Sequence, residues 1–146
     1  MLREAFSKVY TKFKLHFYHR VFERLEDREA TLTTVETFCM EIIYAMKNPT
    51  VNEFAQATHI SSPNAAYKIN SLVKKGYLNK VQSKEDKREY HLEVTEKYLD
   101  YYNISYNYMS VVMDRIQERF TEEEQAQIEK FLTIVSEELM TEIKYL

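Results

Sequence analysis

Glycine and proline are scarce in this sequence, and their scarcity limits the fold more than any other feature. The 146 residues include one glycine and two prolines. Folds rich in loops need both, because glycine adopts turn conformations that other residues avoid and proline presets turn angles. The Rossmann fingerprint and the P-loop each need several glycines at fixed spacing. We therefore expect a mainly α-helical chain without either nucleotide-binding loop.

Length and composition indicate one compact domain, or one with a dimerisation appendage. Hydrophobic residues make up 45% of the chain and charged residues 29%, so it is neither disordered nor fibrous. We find no apolar run long enough to span a membrane, and we expect no secretory signal. The single cysteine excludes an internal disulfide framework and fits a reducing cytosol.

Helix signals cover most of the sequence. Apolar residues recur every three or four positions from Leu2 to Leu25, which predicts a long first helix. Further helices are predicted at about 34–46, 51–58 and 62–75, then from about 96 to 120 and from 121 onward. Capping boxes mark three of the helix starts; they are Thr33 with Glu36, Thr50 with Glu53, and Thr121 with Glu124. The apolar stripe of the last helix is expected to reach Ile143.

Two of these helices carry more specific expectations. The helix at 62–75 should be capped by Ser62, with Pro63 at its first position, and should end at Gly76. The residues expected to face inward from the helix at 34–46 are Val35, Phe38, Ile42, Ile43 and Met46.

The stretch from Val51 to Lys75 has the pattern of a helix-turn-helix, with two short helices on either side of a tight turn. Phe54, Ile60, Ala65, Ile69 and Leu72 are expected to form its core. The opposite face of the second helix carries short polar groups and one phenol, which suit a helix that enters the major groove. On that face, asparagine is suited to adenine and Ala66 to a thymine methyl group.

Two strands are predicted next, at Leu78 to Gln82 and Glu89 to Val94, joined by a charged hairpin tip. An arginine at such a tip can insert into the minor groove, where narrow A·T tracts concentrate negative potential. Asp86 lies two residues before Arg88, a spacing that lets a carboxylate hold the guanidinium by bidentate hydrogen bonds. The residues expected to contact DNA are Ser62, Asn64, Ala66, Tyr67, Lys68, Asn70, Ser71, Lys84, Asp86, Lys87 and Arg88.

The charge distribution agrees with a nucleic-acid partner, although the net charge is -3. From Lys68 to Arg88, seven basic residues stand against two acidic ones, a local balance of +5. From Glu118 to Leu146 the balance is -5. A basic segment can attract a polyanion even in an acidic protein. The simpler interpretation of these charges is a solvated surface.

The block from Thr33 to Thr95 resembles the winged-helix core of MarR-type bacterial transcription regulators. The more specific parts of the resemblance are the Asp-x-Arg of the wing, at Asp86 and Arg88, and the Leu-x-x-x-Gly-Tyr-Leu junction from Leu72 to Leu78. Leu32-Thr33, the run from Val51 to Ala55 and the run from Leu92 to Thr95 also match. The family usually has a glycine shortly after the Thr95 position, where this chain has Glu96-Lys97-Tyr98.

The resemblance implies a winged helix-turn-helix with a two-stranded β-wing, and a homodimer with interlocking terminal helices. It places the recognition helix, Ser62 to Lys75, in the major groove and Arg88 in the minor groove. The resulting hypothesis is a cytoplasmic, sequence-specific DNA-binding repressor. The alternative is a winged-helix protein-interaction module without specific DNA binding, which the absence of arginine from the recognition helix keeps open.

The terminal helices also favour a dimer on physical grounds, since their apolar stripes exceed what a small winged domain can cover. We assign residues 1–30 and 96–146 to a helical dimerisation region and 31–95 to the DNA-binding domain. Two recognition helices must lie about 34 Å apart to meet successive major grooves, so the expected operator is pseudo-palindromic double-stranded DNA.

Other functions have weaker support. Tyr98, Tyr101, Tyr102 and Phe17 are candidates to line a pocket for a small aromatic or lipophilic effector, although an aromatic stripe more often forms core. Cys39 is a candidate redox sensor or, more simply, a buried apolar residue. His16 and His19, with Glu23, could form a metal site, but histidines on the surface or packed against a partner are the simpler interpretation, and we predict no metal and no cofactor. No catalytic constellation appears at a recognisable spacing, so we predict no enzyme activity.

Overall fold

The computed structural model describes residues 1–26, 32–101 and 103–146, and it is mainly α-helical. The helices are α1 (Leu2–Glu26), α2 (Thr34–Met46), α3 (Val51–Thr58), α4 (Ser62–Lys74), α5 (Glu96–Tyr101), α6 (Ile104–Arg119) and α7 (Glu122–Ile134). Strands β1 (Leu78–Gln82) and β2 (Tyr90–Val94) lie between α4 and α5. The predicted mainly α-helical fold with a two-stranded wing is confirmed.

Side-chain caps fix several of the predicted helix starts. Thr33 and Thr121 form complete capping boxes with Glu36 and Glu124, in which each threonine accepts from a backbone amide and each glutamate accepts from the threonine's own amide. At α3, Thr50 accepts from the amide of Glu53, and its hydroxyl donates to the Glu53 carboxylate. These local contacts explain why the starts of α2, α3 and α7 were predicted correctly.

Three predicted boundaries were wrong. The N-cap of α4 is Ser61, whose side chain accepts from the amide of Asn64, so Pro63 is the second helical residue. The helix predicted after Thr95 is two helices, because α5 ends at Tyr101 and α6 begins at Ile104. The last helix ends at Ile134 and continues as a π-helical turn at Val135–Leu139, so Ile143 lies outside it.

The core of the winged domain joins α2, α3, α4 and the wing. Its members are Leu32, Cys39, Met40, Ile43, Phe54, Ala55, Ala65, Ile69, Leu72, Tyr77, Leu78, Leu92 and Tyr98. Of the predicted helix-turn-helix core, Phe54, Ala65, Ile69 and Leu72 are fully buried and Ile60 packs against them at the edge. The core of the predicted DNA-binding motif is therefore confirmed.

The inward face of α2 was predicted correctly only in part. Ile43 is fully buried and Ile42 packs against the core, as predicted. Val35 and Phe38, in contrast, are 50% and 42% exposed, and Met40, which the pattern did not select, is fully buried. The face turned to the core also includes polar Glu36 and Thr37. An apolar stripe alone could not reveal this orientation, because Glu36 is buried by pairing with α4.

The wing is an antiparallel pair in which Leu78 faces Val94 and Gln82 faces Tyr90. A short bridge between Thr50 and His91 attaches the wing to the start of α3. The amide of Leu92 donates to the carbonyl of Pro49 at 2.8 Å, which reinforces the attachment. The wing is thus fixed to the helix-turn-helix through its second strand.

The chain divides into two compact units, Met1–Ser105 and Tyr106–Leu146. The first contains the winged domain and α1, which packs on α2 through the rings of Phe17 and Phe38, 6.1 Å apart. Val21 of α1 is buried. In the second unit, α7 has no buried residue. Among the described residues, no helix combines the length and apolarity that crossing a membrane requires.

Candidate DNA interface

Helix α4 presents a polar, exposed surface. Ser62, Asn64, Tyr67 and Asn70 are exposed, and Tyr67 stands out with 77% of its surface accessible. We call these four residues the exposed face of α4. Ala66 and Lys68 are half-buried beside them. The predicted residues of this helix therefore lie on or next to one surface, except for Ser71.

Ser71 lies on the side of α4 that contacts α2. Its hydroxyl donates to Oε1 of Glu36 at 2.7 Å, and the ammonium of Lys75 donates to Oε2 of the same carboxylate at 2.7 Å. Burial raises the pKa of Glu36, but the donors from Lys75, the Thr33 backbone and Ser71 outweigh it and hold the pKa below its usual value. Glu36 is therefore ionised and ties α4 to α2.

The wing tip holds the feature that the sequence pattern predicted. Nε of Arg88 donates to Oδ1 of Asp86 and Nη2 donates to Oδ2, both at 3.1 Å. The backbone amide of Arg88 also donates to Oδ1, at 3.0 Å. The Arg88 side chain is nevertheless 91% exposed. These bonds lower the pKa of the Asp86 carboxyl and raise that of Arg88, so both stay charged near neutral pH.

The rest of the tip is shaped by local hydrogen bonds. The hydroxyl of buried Ser83 accepts from the amides of Glu85 and Asp86 at 3.3 and 3.4 Å. The side-chain amide of Gln82 donates to the carbonyl of Lys87 at 2.8 Å. Lys84 and Lys87 are exposed on the same tip. The turn is thus held from within, and its cations face solvent.

The junction between α4 and the wing is tight. Gly76 has a φ of +86°, a left-handed conformation that favours glycine. Lys97 of α5 donates to the carbonyl of Lys75 at 2.8 Å, and its ammonium lies 4.5 Å from the centre of the Tyr77 ring. The Thr95 hydroxyl donates to the carbonyl of Gly76 at 2.7 Å. The C-terminal end of α4 is therefore fixed by contacts from α5 and the end of the wing.

Sequence reasoning missed Glu36 and Lys97 as supports of this interface. The capping box did single out Glu36, but only for its bond to Thr33. Its partners on α4 lie 35 and 39 residues away, and no local pattern connects them. The one feature of the sequence that could have indicated this contact is a carboxylate on the buried side of one helix combined with cations on a later helix.

The residues suggested for an effector pocket have different environments. Tyr98 is fully buried in the core, and its hydroxyl donates to Glu41 at 3.4 Å. Phe17 is half-buried against Tyr18 and Phe38. Tyr102 and the side chain of Tyr101 lie outside the described residues. The two described members thus belong to packed surfaces on α1 and α5.

The candidate sensor residues can also be located. Cys39 is 6% exposed, and burial raises the pKa of its thiol, which disfavours the reactive thiolate. His16 is half-buried, and burial together with nearby Arg20 lowers its pKa. His19 is exposed, and Glu23 is paired with Arg20 at 2.7 Å. These environments favour packing roles for Cys39 and His16.

These elements define a winged helix-turn-helix protein. They are the short helix α3, a tight turn, helix α4 with its exposed polar face, and the hairpin of β1 and β2 with its basic tip. The model of the MarR family matches residues 32–90. Residues 32–90 are thus similar to the winged-helix core of the MarR family, and the chain has the fold of MarR-family regulators.

Solved structures with this fold match nearly the whole chain. FabT of Streptococcus pneumoniae, solved in complex with DNA, has a TM-score of 0.61 and 21% identity, and the match covers 94% of each chain. A mutant of MepR from a multidrug-resistant S. aureus clinical isolate has a TM-score of 0.65 and 15% identity over 96% of this chain and 98% of that one. A MarR family protein from Bacillus stearothermophilus has a TM-score of 0.62 and 12% identity, and the match covers 94% of this chain and 92% of that one. A search of curated proteins found no match.

Proposed function

We propose that this chain is a cytoplasmic, homodimeric regulator that represses transcription by binding a pseudo-palindromic operator. The recognition helix α4 lies in the major groove and Arg88 of the wing lies in the minor groove. The proposal rests on the MarR winged-helix fold and on the chemistry of the two exposed surfaces described above. It needs no cofactor and no catalytic group.

The Asp86–Arg88 pair is the single observation that carries this proposal. A fully charged guanidinium is presented at the wing tip, held in a fixed fork and still 91% exposed. A salt bridge at such an exposed site contributes little to folding stability. Its arrangement instead suits insertion into a narrow A·T minor groove, where the negative potential is strongest.

The exposed face of α4 supplies the groups for reading bases. Asn64 and Asn70 carry amides that can pair with an adenine edge, and Ala66 can meet a thymine methyl group. Lys84 and Lys87 add exposed cations on the wing tip that can neutralise phosphates. FabT, which shares the fold, was solved in complex with DNA, and this supports the same use of the fold here.

Exposed apolar side chains support the dimer. In α1 they include Leu2, Phe6, Val9, Tyr10 and Phe22. In the second unit they include Phe131, Leu132, Leu139, Met140 and Leu146. Large exposed apolar surfaces are unusual on a monomer and typical of an interface. A second copy of the chain is the simplest cover, since a two-fold axis pairs like surfaces and places two α4 helices on one DNA face.

A small aromatic or lipophilic effector is part of the proposal, because five tyrosines fall between residues 98 and 108 of the sequence. An effector that binds the DNA-free form better must release DNA by the same differential affinity. A panel of phenolic and lipophilic compounds, added to the protein–DNA complex, tests this point. Release of labelled DNA by one of them supports it, and no release by the whole panel opposes it.

The alternative function is a protein-interaction module. The observation that favours it is Tyr67, an aromatic residue 77% exposed on a recognition helix without arginine. Tyrosine is enriched at protein interfaces, and charged side chains are depleted from their cores. Under this alternative the protein has little affinity for DNA at moderate salt.

Salt dependence separates the two functions. Affinity for a mixed-sequence 30-bp duplex is measured by fluorescence anisotropy between about 50 and 200 mM salt. A DNA-binding dimer that neutralises six or more phosphates should lose about a thousandfold or more in affinity over this range. Negligible binding at the low-salt end would instead support the interaction module.

A further inference from the structure

Helix α4 is tied to α2 by charged and polar contacts in its C-terminal half. Glu36 accepts from Ser71 and Lys75, both at 2.7 Å, and also from the backbone amide of Thr33 at 2.9 Å. We call Glu36, Ser71 and Lys75 the α4 anchor. The anchor is largely shielded from water, with the side chains of Glu36 and Lys75 being 11% and 29% exposed.

The apolar contacts of α4 cannot define its rotation as sharply. They run along Ala65, Ile69 and Leu72, a narrow stripe that begins with a small residue. Apolar burial is non-directional, so these contacts define the rotation about the helix axis less specifically than hydrogen bonds do. Side-chain tips lie about 5 Å from the axis, so a rotation of about 20° moves them by about 2 Å. A displacement of that size breaks a hydrogen bond to a base edge.

Hydrogen bonds to one carboxylate, in contrast, are directional. Ser71 and Lys75 are four residues apart and project from the same side of α4 onto the two oxygens of Glu36. Rotation or sliding of α4 would lengthen at least one of these bonds. Because Glu36 is itself held by the capping box of α2, the anchor fixes α4 relative to the start of α2.

We propose that Glu36 is a positioning residue for DNA recognition, which sets the rotation of α4 through Ser71 and Lys75. Its carboxylate thereby determines which base edges Asn64 and Asn70 reach. This inference rests on the proposed function in DNA binding. It also assigns Lys75 to the inside of the fold, although its place in a basic recognition helix suggests a phosphate contact.

The test compares four variants with the wild-type homodimer. Glu36→Gln keeps the shape of the side chain but loses its charge, and Lys75→Met removes the cation from the anchor. Lys75→Arg is the conservative variant that retains the charge pair. Lys74→Met is the matched control, since Lys74 is an exposed cation one residue away on the same helix.

Two quantities are measured for each protein by fluorescence anisotropy. The first is the specificity ratio, the affinity for a duplex that the wild type selects from a randomised library divided by the affinity for its scrambled counterpart. The second is the slope of log affinity against log salt on the scrambled duplex, which counts phosphate contacts. Thermal unfolding followed by circular dichroism confirms that each variant is folded at the assay temperature.

The positioning role predicts that Glu36→Gln and Lys75→Met lower the specificity ratio by about tenfold or more, with an unchanged salt slope. Lys75→Arg and Lys74→Met should retain the ratio. A purely structural role for Glu36 would lower the melting temperature and leave the base preference intact, which overturns the inference. A Lys75→Met protein with normal preference and a salt slope reduced by about one overturns it as well, since Lys75 would then contact phosphate.

Two further outcomes are also decisive. If Glu36→Gln is unfolded, Ser71→Ala replaces it, because this variant removes one bond to the carboxylate and leaves the charge pair in place. An unchanged specificity ratio for both Ser71→Ala and Lys75→Met then overturns the inference. A wild-type protein that selects no preferred duplex contradicts the proposed function itself, which distinguishes that failure from a failure of the anchor.

Discussion

The carboxylate of Asp86 holds the guanidinium of Arg88 through two hydrogen bonds of 3.1 Å, while the arginine side chain stays 91% exposed. A third bond, from the backbone amide of Arg88, closes the turn around the same carboxylate. A long arginine side chain normally loses considerable rotamer freedom when it binds a partner. Here part of that freedom is already lost in the free protein, so the guanidinium of Arg88 is prearranged for binding in a DNA groove.

The first prediction concerns this pair. Arg88→Ala should lower affinity for the selected operator by about tenfold and reduce the preference for A·T pairs in its flanks. Asp86→Ala should have a smaller effect in the same direction, because the guanidinium remains but is no longer prearranged. Anisotropy with operators of varied flanks measures both effects. Lys84→Ala is the control for lost charge, and equal losses for all three variants would contradict a special role for Arg88.

The second prediction concerns the exposed face of α4. Asn64→Ala should reduce discrimination at particular base pairs by about tenfold and leave the salt slope nearly unchanged, because an amide reads base edges without neutralising phosphate. Selection from a randomised duplex library shows which positions lose their preference. Asn79→Ala, an exposed asparagine on β1, serves as the matched control. An unaltered base preference in Asn64→Ala would remove Asn64 from the reading set.

The third prediction uses two glutamates of α2 with opposite pKa shifts. The pKa of Glu36 is lowered, so its interactions stabilise the fold above the ordinary pKa of glutamate, about 4.3, and are lost as pH falls through its folded value. Glu36→Gln should therefore destabilise the protein by about 2 kcal/mol at pH 7, and less at pH 4. Urea denaturation across this range measures the difference. A destabilisation that grows toward low pH would contradict the assignment.

Glu41 should behave in the opposite way. Burial raises its pKa, although bonds from Ser105 and Tyr98 partly offset this. A raised pKa stabilises the folded protein below the ordinary pKa of glutamate, at about pH 4.3. This stabilisation is lost as the pH rises through the pKa of Glu41 in the folded protein. Relative to wild type, Glu41→Gln should thus gain stability as pH rises from 4 to 8. The same urea series tests this, and a parallel pH profile for the two proteins would refute it.

The fourth prediction concerns the dimer. Phe131 is 62% exposed on α7, so Phe131→Asp should place a charge in the proposed interface and shift the protein to monomer in sedimentation. Gln127→Asp, also exposed on α7, is the control and should leave the dimer intact. A Phe131→Asp protein that sediments as a stable dimer would show that α7 lies outside the interface.

Features set by local chemistry could be predicted from the sequence. The bounds of α2 and α3, the capping boxes and the pairing of Asp86 with Arg88 depend on residues a few positions apart. The burial of Glu36 on the inward face of α2 could not be predicted, because it is stabilised by residues 35 and 39 positions away. The helix break before Ile104 escaped prediction because an apolar stripe continues on both sides of it.

The same contrast holds at the candidate interface. Ser62, Asn64, Tyr67 and Asn70 are exposed as predicted, since helical periodicity alone separates them from the core. Ser71 shares their polarity but contacts α2, and only the packing of α4 on α2 decides between these two environments. Side-chain polarity therefore predicted the character of the surface, and tertiary packing determined which residues belong to it.

The most direct test of the central claim is the specificity of DNA binding by the wild-type protein. Anisotropy at near-physiological salt compares a duplex selected from the genomic DNA of the source organism with a scrambled duplex of the same composition. The account predicts binding to the selected duplex at least about a thousandfold tighter than to the scramble. Equal affinity for the two duplexes, after repeated rounds of selection, would contradict sequence-specific regulation by this protein.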